Sequence, residues 1–144
     1  MSVTVSRTVT IAAPVDAVLA TVRDVDAQHT WWPGMVSSEV VERDGHGLPL
    51  RARIVSDVKV ATDRFEVRYR HTEDALHWEL EGSSLAQRAQ EGAWVLAPVD
   101  GGTEVTLSLT VTSSLPLPRM VQRKVIGDNV AGAVAALARR CEQG

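Results

Sequence analysis

Cysteine, aromatic side chains, long apolar runs and basic blocks are all scarce in this chain of 144 residues. The single cysteine, Cys141, leaves no partner for an internal disulfide and no thiolate cluster for a metal. No uninterrupted apolar stretch approaches the roughly 20 residues that a membrane-spanning helix needs, so no stable membrane insertion is expected. The opening MSVTVSRTVTIAAP has no basic segment leading into an apolar one. No secretory leader is expected, and the expected compartment is the cytoplasm. Lys and Arg number 15 against 18 Asp and Glu, a net charge of -3, and no basic field marks a nucleic acid partner.

Reactive constellations are missing as well. His29, His46, His71 and His77 show no i, i+4 pair of the zinc-site kind, so no metal is expected. There is no G-x-S-x-G, no phosphate-binding glycine loop and no G-x-G-x-x-G, so neither a nucleophile elbow nor a nucleotide cofactor is expected. The carboxylate pair Glu79 and Glu81 falls on the polar face of a strand, where solvation explains it. The oligomeric state is not legible.

What is present is a globular composition: 44% apolar and 23% charged residues, suited to one domain over residues 1–144. Val3, Val5, Val9 and Ile11 alternate with Ser and Thr and predict a strand. Pro14 opens a short amphipathic helix over 14–24, and Asp24 to Thr30 predicts a second short helix or turn. Trp31-Trp32-Pro33-Gly34 breaks it. Strands follow over Val36–Glu42 and Leu50–Val60, the latter closed by Ala61-Thr62-Asp63. Phe65, Val67 and Tyr69 then alternate with Arg and Glu, and Leu76, Trp78 and Leu80 with His and Glu. A fifth strand of this run covers Leu85 to Pro98, with Gly92 as a bend or bulge. After Asp100-Gly101-Gly102, Val105, Leu107, Leu109 and Val111 alternate with Ser and Thr. Residues 119–142 read as one long helix, weakened by about 1 kcal/mol at each of Gly127 and Gly132. The order is one strand, two short helices, six strands and a long helix: an α+β chain with an antiparallel sheet, one face wet and one covered.

Four local patterns carry a family resemblance. They are Ile11-Ala12-Ala13-Pro14-Val15-Asp16-Ala17-Val18; Trp31-Trp32-Pro33; Gly92 to Pro98 with Gly101-Gly102-Thr103-Glu104-Val105; and Leu115-Pro116-Leu117-Pro118. In this order they resemble the SRPBCC superfamily of polyketide cyclase/dehydrase-like, coenzyme-Q-binding-like and lipid-transfer START-like domains. The resemblance covers essentially the whole chain. It implies a helix-grip (START/Bet v 1-like) fold, a curved seven-stranded antiparallel sheet wrapped on the C-terminal helix. It does not by itself imply one activity.

Parity places Phe65, Tyr69, Trp78 and Trp94 on the covered face. The Trp and Tyr side chains each carry a polar atom that needs a partner, so they line a pocket or fill a core. Arg88 and Gln90 share parity with Trp94. They face a ligand's polar end if the strand is regular; a bulge near Gly92 sends them to water and turns Leu85, Gln87 and Ala89 inward. Trp31, Trp32 and Met35 form either a pocket entrance or a plug. A single helix about 10–12 Å across is too narrow to fill such a sheet, which predicts a cavity lined also by Leu107, Leu109, Met120, Ile126 and Val130.

Three functions compete. The first is binding or transport of a hydrophobic small molecule (lipid, isoprenoid or polyketide-like). The second is a polyketide aromatase/cyclase-type enzyme using Arg88, Tyr69 and Gln90. The third is a protein-interaction module acting through Trp31–Met35 or the basic stretch of Arg119, Arg123 and Lys124.

Overall fold

The alternating segments pair into a single sheet. A computed structural model describes residues 2–58 and 61–143. Strands β1 (Ser2–Ile11), β2 (Met35–Arg43), β3 (Pro49–Val58), β4 (Ala61–His71), β5 (Ala75–Leu80), β6 (Gln87–Val99) and β7 (Gly102–Ser113) lie in the order β1-β7-β6-β5-β4-β3-β2, all antiparallel. Helix α1 (Val15–Arg23) and a 3-10 helix (Val25–Thr30) connect β1 to β2, and α2 (Arg119–Gln143) closes the chain. This is the helix-grip fold.

Two faces emerge from period two. On the outer face of β1 and β7, hydroxyls pair across strands: Ser2 with Thr112, Thr4 with Thr110 and Thr8 with Thr106. On the inner face, Val3, Ile11, Val105 and Leu107 are buried against α1 and the second half of α2. Helix α2 buries Val130, Ala133, Val134, Ala136 and Leu137, and its first half is mostly exposed or half-buried.

Two expectations need correction. Ala61-Thr62-Asp63 is the start of β4, paired with β3, and not a closing turn. The expected end of the preceding strand at Val60 lies outside the described residues. Strand β6 begins at Gln87, leaving Leu85 exposed in the loop before it. The reason is Asp63. Buried at 0% exposure, its carboxylate accepts hydrogen bonds from Ser84 Oγ (2.8 Å), the Ala86 amide (3.1 Å) and Gln87 Nε2 (3.0 Å), tying the β5–β6 loop to β4.

Candidate functional site

The interior is built from rows of the sheet. Tyr69 pairs with Trp78, Trp78 with Gly92, and Gly92 with Leu109, so one inward row crosses β4, β5, β6 and β7. At Gly92 a side chain would collide with the Trp78 ring, so the missing Cβ is what gives the indole its place. The expected bulge exists, but at Arg88. Gln87 faces Ser113 and Ala89 faces Thr112, which leaves Arg88 as the extra residue. Gln87 and Gln90 therefore both turn inward, while Arg88 and Ala89 are exposed.

Trp31 and Trp32 swing in from the loop. Asp26 anchors the 3-10 helix by accepting from the Val40 amide (2.8 Å), and Ser38 Oγ accepts from the His29 amide (3.1 Å). On the other side Asn129 of α2 accepts from Trp32 Nε1 (2.9 Å) and donates to the Pro33 carbonyl (3.0 Å). Ring centres lie 5.9 Å apart for Trp31–Trp32, 6.1 Å for Trp31–Trp94, 6.2 Å for Trp32–Trp78 and 5.6 Å for Trp32–Trp94. Four indoles thus form one connected cluster, each such contact worth about 0.5–1.5 kcal/mol beyond buried area.

This cluster occupies much of the space expected to be open. What remains is a cavity of about 80 Å³ between β2–β7, the 3-10 helix and α2. Five of the expected site residues line it or its rim: Trp32, Tyr69, Trp78, Gln90 and Leu109. Trp94, Leu107 and Val130 are buried in the core instead, and Trp31 and Ile126 are half-buried against it. Met120 is 79% exposed on the first turn of α2, and Arg88 projects from its bulge into solvent. Neither faces the interior.

Sequence reasoning missed the polar lining: Gln28, Ser56 and Asn129. Gln28 is 5% exposed, and its side-chain amide has no hydrogen-bond partner among the described residues. Tyr69 is 8% exposed, and its hydroxyl is likewise unpartnered there. Both side chains line the same cavity, so a ligand's polar end would meet them there. Burial pushes the Tyr69 phenol well above its ordinary range, so it stays a protonated donor. Among the described lining residues there is no Asp, Glu, His, Lys or Arg.

A wider, open depression of about 510 Å³ lies on the outer side of β4–β7, lined among others by Arg68, Arg70, Glu79 and Glu91. Its charges offset one another and it is broadly open to solvent. Among the described residues, no group of three or more His, Cys, Asp or Glu is placed to hold a metal, and no helix is long and apolar enough to cross a membrane.

Comparison with known proteins agrees with this architecture. A START superfamily protein from Mycobacterium smegmatis superposes with a TM-score of 0.89 at 23% identity, over 97% of each chain. The Zhui aromatase/cyclase from Streptomyces sp. R1128 gives 0.85 at 18% identity, over 99% of this chain and 95% of that one. A STAR-related lipid transfer protein from Xanthomonas axonopodis gives 0.72 at 17% identity, over 96% of this chain and 85% of that one. At such identities these likenesses establish the fold. No curated protein matches the sequence. The family model for polyketide cyclase/dehydrase and lipid transport matches residues 2–142, and the chain belongs to that family.

Proposed function

We propose that the protein binds a hydrophobic small molecule with one oxygen-bearing end, inside the cavity beside Tyr69. The observation that carries this reading is the pairing, on one cavity, of apolar walls with the polar side chains of Gln28 and Tyr69. Ile54, Val67, Trp78 and Leu109 supply apolar contact, and the polar groups orient the ligand. Family membership supports a hydrophobic ligand in general.

Size constrains the ligand. A dry cavity of about 150 Å³ is known to hold benzene. The resting cavity here is about 80 Å³, so it takes a ring-sized group only if a neighbour yields. Met35, half-buried, flexible and on the lining, is the side chain suited to yield. A lipid or polyketide chain requires a larger displacement of Trp32.

The aromatase/cyclase alternative keeps one supporting observation, the protonated Tyr69 hydroxyl in the cavity. The described lining offers it no base, which favours binding over turnover. The interaction-module alternative is weakened by the inward turn of Trp32. Calorimetric titration with cyclohexanone and with longer apolar ketones tests the binding reading. Saturable binding that is lost in Ser56→Leu, a variant that fills the cavity, is the expected result. Binding unchanged in Ser56→Leu would place the ligand elsewhere.

A further inference from the structure

A chain of hydrogen bonds runs from the cavity to a buried carboxylate. Trp78 Nε1 donates to Gln90 Oε1 (2.8 Å), Gln90 Nε2 donates to Gln87 Oε1, and Gln87 Nε2 donates to Asp63 Oδ2 (3.0 Å). Both ends dictate the same direction. An indole N–H only donates, and an ionised carboxylate only accepts. Asp63 also takes Ser84 Oγ and the Ala86 amide, so its oxygens face donors on every side that is described. Each glutamine must then turn its NH2 toward Asp63 and its oxygen toward Trp78. Neither amide can flip without setting donor against donor at one end of the chain and acceptor against acceptor at the other.

Gln90 lines the cavity; Gln87 and Asp63 do not. With its oxygen on Trp78 and one N–H on Gln87, Gln90 keeps one N–H with no partner among the described residues. Tyr69, one strand beyond Trp78 in the same row, adds an O–H. We infer that Asp63 and Gln87 are positioning residues that hold Gln90 as a donor, so that the cavity takes a carbonyl oxygen (ketone, aldehyde or ester) at its polar end. This deepens the binding reading and rests on it.

The test compares two probes of matched shape, cyclohexanone and methylenecyclohexane, by calorimetry. The quantity read is the ratio of their affinities, in which the general apolar contribution cancels. Removing the donor in Gln90→Met should lower the ketone/alkene ratio about fivefold, one neutral hydrogen bond. Gln87→Met, remote from the ligand, should lower it about threefold by freeing Gln90, with the alkene affinity unchanged. Asp63→Asn carries the same expectation as Gln87→Met. A purely structural role would weaken both probes together and leave the ratio alone, and that result overturns the inference. In the unaltered protein, the Gln90 side-chain amide protons should shift on adding cyclohexanone and not on adding methylenecyclohexane; no ketone-specific shift also overturns it. If neither probe binds the unaltered protein, the binding reading itself fails and this inference with it.

Discussion

The indole of Trp78 lies over Gly92, its cross-strand partner, in the space that any side chain at that position would occupy. Gly92→Ala should therefore evict Trp78 and break its bond to Gln90, at a cost of about 2–3 kcal/mol in denaturant unfolding. Gly127 offers the contrast. It sits within α2, and a Cβ there meets nothing within 4 Å. Gly127→Ala should stabilise by about 0.5–1 kcal/mol, from helix propensity alone. Equal effects at the two glycines would contradict this placement of the Trp78 ring.

Tyr69 separates structure from function. Its hydroxyl bonds to no described residue, so Tyr69→Phe should leave unfolding free energy within about 0.5 kcal/mol of the unaltered protein. The same variant should bind cyclohexanone more weakly. A large loss of stability on Tyr69→Phe would show that the hydroxyl serves the fold.

Alkaline titration gives an independent check, because the chain holds one tyrosine. Burial raises the folded phenol's pKa above its unfolded value. This contribution to stability is full below the unfolded pKa of about 10 and declines as pH rises above it, because the unfolded chain ionises first. Phenolate absorbance should therefore appear together with loss of the tryptophan near-ultraviolet dichroism. Phenolate forming near pH 10 in the folded protein would place the hydroxyl in water.

Asp63 should be indispensable to the β5–β6 loop. Asp63→Ala leaves Ser84, the Ala86 amide and Gln87 without their acceptor, and should cost about 3 kcal/mol. Faster amide exchange over residues 84–87 is the accompanying signature.

Much of this architecture was legible in period two. Tyr69, Trp78, Trp94 and Leu109 point inward as alternation requires, because strands β4 to β7 run without interruption through them. Gln90 follows from the same parity. Arg88 does not, since one extra residue reverses every assignment before it and leaves no mark in composition. The Trp31–Trp32 pair reads equally as pocket entrance or as plug, because a local pattern does not reveal that Asn129, 97 residues from Trp32, holds its indole inward. For that reason the interior is more filled than six aromatics in the sequence suggest. Gln28 stood in a polar stretch with nothing to distinguish it from its neighbours. Its role depends on the 3-10 helix being tied to β2.

The most direct test of the cavity as the ligand site is the NMR spectrum of the four indole N–H groups during addition of cyclohexanone. Trp32 and Trp78 line the cavity, and Trp31 and Trp94 do not. The account predicts saturable shifts that are largest at Trp32 and Trp78. Largest shifts at Trp31 and Trp94, or none at any indole, would contradict it.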